Sequence, residues 1–241
     1  MLKRLRELYR KEAFHPSIIG IFINPFYIVR KGLLNGIKSN SHNMRGVMLD
    51  FGCGSKPYEK LFKVKKYIGV DIKGGGHDHK NEPVDIFYDG RTLPFGDECF
   101  DSLFSSEVLE HISDPEKTLA ELNRVLKEEG VALLTVPFVW DEHEKPFDFR
   151  RYTSFGIKDL LERHGFQIIK LEKSSTYVET IFQMWNAYLF QILNTKNAYL
   201  NVALHIVFIA PFTILGLIIS KVLPKRYDFY HSNIVVARKV Q

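Results

Sequence analysis

Val47-Met48-Leu49-Asp50-Phe51-Gly52-Cys53-Gly54 is the stretch whose reading decides the fold. An apolar run ending in an acid reads as a buried strand. Two glycines one residue apart then let the backbone turn sharply and come close to a ligand. Lys56-Pro57 follows, and proline suits the first turn of a helix, so a helix is expected to begin there. Working outward, Tyr67–Asp71 is a second strand that also ends in an acid, and Val84–Asp89 is a third. Phe100–Phe104 is a fourth, followed by helical spacing at Leu119, Leu122, Val125 and Leu126. Val131–Pro137 is a fifth strand, Ile157–His164 a helix stopped by Gly165, and Phe166–Leu171 a sixth strand. Strands alternating with helices predict an α/β fold with a parallel sheet covered on both faces.

A chain of 241 residues is long enough to bury a core without disulfides or metals, and its two cysteines, Cys53 and Cys99, exclude a disulfide scaffold. The net charge of +5 is concentrated at one end. Residues 1–40 hold eight lysines and arginines against Glu7 and Glu12, which leaves the rest of the chain close to neutral. That distribution argues against a nucleic-acid groove spread over the fold. Met1 to Arg10 alternates leucine with base and reads as a short amphipathic basic helix rather than a secretory signal.

The acids narrow the ligand. Asp71 stands where a ribose diol would donate hydrogen bonds. Asp50, just before the glycines, would repel a pyrophosphate and favour a ligand carrying positive charge. A dinucleotide fingerprint would want a small residue at Pro57. A nucleoside with a cationic tail and no phosphates fits, and S-adenosylmethionine is such a ligand.

The runs LDFGCG, YIGVDI, YDGRTLPFGDECFDSLFSSEVLEHISDPEKTLAEL and GVALLTVPF together resemble the class I S-adenosylmethionine-dependent methyltransferases, over about residues 44–172 and again at Asn233–Arg238. The resemblance implies a Rossmann-like, seven-stranded sheet with helices on both faces and the last strand antiparallel beside the fifth. It implies that Asp50, Gly52, Cys53 and Gly54 lie under the methionine moiety, and that Asp71 and Ile72 form the ribose site. Asp89 and Gly90 would contact adenine, and Ser105, Ser106 and Glu107 would close the pocket. Ser55 departs from the third glycine often found in the first motif.

The acceptor side rests on fewer residues. Members that methylate the amines of adenine or glutamine carry Asn/Asp-Pro-Pro-aromatic after the fourth strand, where this chain has Ser105-Ser106-Glu107-Val108. A hydroxyl acceptor needs a base, and His111 and His143 stand after the fourth and fifth strands as catalytic candidates. Glu107, Glu110 and His111 spell a motif that some relatives use for a divalent ion, with Glu107 and His111 sharing a helix face; no metal is assigned here. His77-Asp78-His79 reads as a solvated turn.

Residues 176–226 are unusual for the family. Thr180–Thr195 has an amide stripe of Gln183, Asn186, Gln191 and Asn194, and Asn197–Ser220 is uncharged, long enough as a helix to reach about 36 Å. The expected organisation is a basic helical segment at 1–43, a methyltransferase domain at 44–175 and 227–241, and a hydrophobic helical insertion at 176–226. Because the strands on either side belong to one sheet, the insertion would lie in or on a membrane face without a single crossing. A second copy of the chain is the other candidate to cover it. The expected activity is methylation, by O-transfer near the membrane, of a glycan, lipid-linked or other small-molecule acceptor. The resemblance extends to methyltransferases of bacterial surface-polysaccharide pathways through His143-Glu144-Lys145-Pro146-Phe147-Asp148-Phe149-Arg150-Arg151-Tyr152-Thr153. The expected location is cytoplasmic, peripheral on the membrane's cytoplasmic face. A quinone-type small-molecule methyltransferase and a non-catalytic scaffold are the alternatives.

Overall fold

Seven strands form one sheet in the order β3-β2-β1-β4-β5-β7-β6 in the computed structural model, which describes residues 2–74 and 82–240. They are β1 (Val47–Phe51), β2 (Lys66–Ile72), β3 (Ile86–Tyr88), β4 (Phe100–Ser106), β5 (Leu126–Pro137), β6 (Phe166–Lys173) and β7 (Ser232–Lys239). The pairs β1–β2, β2–β3, β1–β4 and β4–β5 are parallel, and β7 runs antiparallel to β5 with Leu133 opposite Val236. The chain order reverses between β1 and β4, the switch point where open α/β sheets bind ligands beyond the carboxyl ends of their strands.

The helices are α1 (Leu2–Phe14), α2 (Gly20–Ile23), α3 (Tyr27–Asn40), α4 (Pro115–Val125), α5 (Ser154–Arg163), α6 (Tyr177–Leu193), α7 (Ala198–Leu204) and α8 (Ala210–Val222). Local chemistry sets their starts. Asp114 accepts from the Lys117 amide ahead of Pro115, and Thr153 accepts from the Gly156 amide, which starts α5 three residues before the first periodic apolar position. Thr176 and Glu179 form a capping box on α6. The helix expected at Lys56-Pro57 does not form. Lys56 is held at φ 51° and only a 3-10 turn, Glu59–Leu61, follows.

The chain divides into two compact units, Gly36–Glu172 with Ser232–Gln241, and Met1–Asn35 with Lys173–His231. The basic amino-terminal segment and the apolar insertion, kept as separate segments in the sequence reading, therefore share one unit. The sheet unit buries Leu49, Val70, Leu103, Leu122, Leu134 and Val235 in a continuous core. In the other unit Gln183 accepts from the Ile28 and Val29 amides at 3.0 and 3.3 Å and donates to the Pro25 carbonyl at 2.9 Å. A buried amide there supplies partners to a backbone turn that has no helical ones.

Leu122 sits at 0 % exposure on the core face of α4. Leu122→Ala is expected to cost about 2–5 kcal/mol of stability, read as an earlier midpoint in chemical denaturation with the slope unchanged.

Candidate active site

The glycine turn closes over the end of β1. Gly52 lies at φ 71° and Gly54 at φ 45°, and a Cβ on Gly52 would come within 2.5 Å of Val108. Gly52 and Cys53 donate their amides to the Val70 carbonyl at 2.9 and 3.1 Å. Gly54 donates to Asp71 Oδ2 at 2.8 Å, and Asp71 Oδ1 accepts from the Ile72 amide at the same distance. Asp71 thus staples the turn to β2.

Asp50 is buried, and the Tyr67 phenol donates to its carboxylate. Burial pushes Asp50 up to about 7, against the lowering by Tyr67, with the Asp71 charge adding a smaller rise. Burial likewise holds the Cys53 thiol and the Tyr67 phenol far above their ordinary values, so both stay protonated. Lys56 Nζ meets Asp85 at 2.5 Å, and Asp85 accepts from the Gly69 amide at 2.7 Å. Tyr67 and Asp85 were missed by the sequence reading, because nothing in a strand's spacing announces which side chain reaches across to its neighbour.

The remaining cofactor candidates separate into two groups. Gly90, at φ 78°, lies against Ile72, with 3.8 Å from its would-be Cβ to Ile72 Cγ2. Asp89 is exposed and accepts from the Arg91 and Thr92 amides, bonds that lower its pKa. Its carboxylate therefore caps a turn. Ser105 is buried beyond the β1–β4 pairing of Asp50 with Phe104, and its hydroxyl has no hydrogen-bond partner. Ser106 meets Thr135 at 2.9 Å, while Glu107, at φ 55°, accepts from the Ser232 hydroxyl at 3.1 Å. Those two residues are tied to β5 and β7.

The acceptor-side candidates come together. The His111 and His143 rings lie 4.7 Å apart, nearly perpendicular. His111 Nδ1 is 2.9 Å from the Phe147 carbonyl and His143 Nδ1 is 3.1 Å from the Asp141 carbonyl. A carbonyl only accepts, so each Nδ1 carries a proton, and in the neutral ring Nε2 presents a lone pair. Burial lowers the His143 pKa, and so favours its neutral form. Glu110 is fully buried and neither of its oxygens has a hydrogen-bond partner; burial, then Glu107, raises its pKa well above the carboxylate range.

Donor atoms of Glu110, His111 and His143 lie within 4.8 Å of one another, a set that could hold a cation. Glu107 is outside that set. The helix face it was expected to share with His111 is replaced by a single 3-10 turn, Leu109–His111. Asp148, named in the sequence only as part of the 143–153 segment and without a role, accepts from the His143 amide at 2.9 Å and pairs with Arg151 at 2.5 Å. His77-Asp78-His79 lies outside the described residues.

Comparison with known proteins adds a class to this geometry. Residues 49–134 match the family described as a methyltransferase domain. An uncharacterized protein of Methanocaldococcus jannaschii is 29 % identical over 156 residues, covering 59 % of this chain and 74 % of that one. A second uncharacterized protein of the same organism is 31 % identical over 98 residues, covering 39 % of this chain and 38 % of its own length. Among solved structures, the phosphoethanolamine N-methyltransferase 2 of Haemonchus contortus with S-adenosyl-L-methionine matches with a TM-score of 0.53 at 19 % identity, over 97 % of this chain and 60 % of that one. The S-adenosylmethionine-dependent methyltransferase of Mesorhizobium loti gives 0.52 at 13 % identity, covering 86 % and 98 %. The [4+2]-cyclase SpnF gives 0.53 at 19 % identity, covering 87 % and 80 %. A cyclase on the same fold shows that the fold alone does not choose the reaction. The sequence match bears on the reaction: residues 49–134 match a methyltransferase domain, which supports methyltransferase activity.

The Arg151 hydrogen bonds hold Asp148 well below the usual carboxylate range. A depressed acid stabilises the fold above its unfolded pKa of about 4, and that contribution is lost as pH falls toward the folded value. Asp148→Asn is expected to remove this increment, so that its acid-unfolding curve is flatter below about pH 4 than that of the wild type, measured by circular dichroism.

Proposed function

We propose that this enzyme transfers a methyl group from S-adenosylmethionine to a hydroxyl of a glycan, lipid-linked or other small-molecule acceptor presented near a membrane. The glycine cradle carries the reading: two left-handed glycines without side chains follow the buried Asp50 at the carboxyl end of β1, and the orphaned Ser105 hydroxyl lies on the neighbouring strand β4 across the sheet's switch point. These residues fit the cofactor. An acidic, phosphate-averse turn with no long helix behind it suits a cationic nucleoside better than a dinucleotide. Asp71 takes the ribose diol, Gly90 and Ile72 border the adenine, and Asp50 faces the positive end.

When bound, S-adenosylmethionine supplies an electrophilic methyl group on a sulfonium, which departs as a neutral thioether. The chain's own work is to hold the acceptor oxygen in line and keep water away. His143 takes the hydroxyl proton at Nε2, its ring orientation fixed by the Asp141 carbonyl and by the Asp148 carboxylate, whose Oδ2 lies 3.3 Å from its Nδ1. His111 stands beside it, its own Nε2 3.7 Å from Glu144.

Calorimetry with S-adenosylmethionine tests the cradle. Asp71→Ala is expected to weaken binding by about 2–3 kcal/mol. It should also lower thermal stability, since the Gly54 amide loses its partner. Unchanged affinity would return Asp71 to a purely structural role. Affinity for the cationic donor is expected to rise with pH through about 7 as Asp50 ionises, and Asp50→Asn is expected to flatten that rise.

His143→Ala should leave donor affinity alone and reduce turnover by roughly two to four orders of magnitude, measured as transfer of labelled methyl into membrane and soluble glycan fractions. Equal turnover would dismiss His143 as the base. Loss of wild-type turnover on chelation would make the two imidazoles cation ligands instead.

A further inference from the structure

Within the unit formed by Met1–Asn35 and Lys173–His231, the helix pair α6 and α8 has its polarity reversed. Along these two helices the buried residues are polar or small. Thr180, Gln183, Asn186, Thr213 and Gly216 are all buried, and Ser220 is 6 % exposed. Asn186 donates to the Thr213 hydroxyl at 2.9 Å, and Ser220 donates to Glu179 at 3.3 Å. A Cβ on Gly216 would stand 2.7 Å from Phe182, so the two helices meet at backbone distance. The outward residues are the large apolar ones: Ile181, Trp185 and Ile192 on α6, with Phe208, Leu215 and Ile218 on the second arm, each between 45 % and 59 % exposed.

Water-soluble helices place their apolar stripe inward. Here the stripe pattern is inverted, and small and polar residues form the contact, as in helix pairs packed within lipid, where apolar contact between helices gains nothing over contact with acyl chains. The run Ala198–Val222 is the one helical stretch among the described residues with the length and hydropathy to cross a membrane, and only 28 % of its most apolar window is buried, which excludes an ordinary core helix.

We infer that lipid acyl chains cover this helix pair, so that the unit is a bilayer-docking element. On α8 the exposed apolar residues Ile214, Leu215, Ile218 and Val222 form one stripe opposite its seam through Thr213, Gly216 and Ser220. Charge favours lipid over a protein partner as the cover: twelve lysines and arginines stand against four acids in the unit's residues, which suits anionic headgroups, while the remainder of the chain is net negative. Lys221, Lys225 and Arg226 close the apolar run, and Trp185, Tyr188 and Tyr199 are exposed aromatics of the kind that settle at a headgroup boundary. Both ends of the element return to one sheet, since β6 and β7 are neighbours, so the pair enters and leaves on the same side. This inference stands whatever acceptor the enzyme uses.

The test is flotation of the full-length protein with vesicles of phosphatidylcholine alone and of phosphatidylcholine with phosphatidylglycerol. The wild type is expected to float with both and more strongly with the anionic vesicles, with added salt narrowing the difference. Trp185 emission should shift to the blue and be quenched by brominated lipid. The double variant Ile181→Glu, Ile218→Glu changes outward positions only, and its fold is checked by circular dichroism. It is expected to reduce capture on the order of ten-fold or more, because charges are costly among acyl chains. Binding of S-adenosylmethionine by the same samples, measured separately, keeps failure of docking distinct from failure of the methyl-transfer reading. A wild type that stays in solution without detergent, ignores vesicles and sediments as a dimer would overturn the inference in favour of a second copy of the chain. Capture unchanged in the double variant would overturn it equally.

Discussion

One carboxylate organises the donor end of this enzyme. Asp71 ends β2 and accepts the Gly54 amide from the turn after β1, so two neighbouring parallel strands are tied at their carboxyl ends. Without that tie, the turn with Gly52 and Gly54 at positive φ would be held by the Val70 carbonyl and by its own bond from the Lys56 amide to the Cys53 carbonyl. Stapled, it fixes Gly52 so closely against Val108 that no side chain fits between. The segment of Glu110 and His111 begins immediately after Val108. A single close approach therefore links the turn proposed to hold the donor to the segment proposed to meet the acceptor. Methyl transfer is sensitive to such spacing, because in-line geometry contributes much of the barrier reduction.

The same neighbourhood concentrates acids where the ligand is positive. Asp50 is buried with a phenol as its hydrogen-bond donor, and Asp71 lies near enough to raise its pKa. A buried carboxylate with that environment gains more from a cationic ligand than an exposed one would, since the charge it meets is not screened by water. Around the two imidazoles burial drives Glu110 toward its protonated form and His143 toward neutrality, while Asp148 and Arg151 form an ion pair beside them.

Much of this could be read in the sequence. The apolar runs located six strands, all but the start of β5 to within two residues, because buried parallel strands leave little room for polar interruptions, and the family resemblance supplied the antiparallel seventh. The glycine turn, Asp50 and Asp71 were legible because backbone conformation and charge at a strand end act locally. What escaped depends on cross-chain geometry. Tyr67 reaches Asp50 only because β1 and β2 pair in one register, and Asp148 reaches His143 only because the Lys145-Pro146 segment folds back on itself. Lys56 in a left-handed conformation stopped a helix that Pro57 invited, and no propensity at those positions foretells it. Helical spacing put Glu107 and His111 on one face, but Glu107 also adopts positive φ and turns toward Ser232.

The amide stripe of α6 teaches the most about periodicity. Its spacing was legible, but periodicity gives the angle of a polar face and not which way that face points. Gln183 and Asn186 turn inward, to a backbone turn and to Thr213, while Gln191 and Asn194 remain outside. Pointing inward reverses the meaning of the stripe. An outward polar face would have kept the helix pair at a water boundary and argued against deep immersion. Inward amides instead turn their polar groups to partners inside the unit, Gln183 to a backbone turn and Asn186 Nδ2 to Thr213, and leave an apolar exterior of the kind a bilayer favours. In the sheet unit of the same chain the apolar residues lie inside. One polypeptide thus follows the same burial rule against two solvents, and the sign of each amphipathic pattern reports which solvent that segment meets.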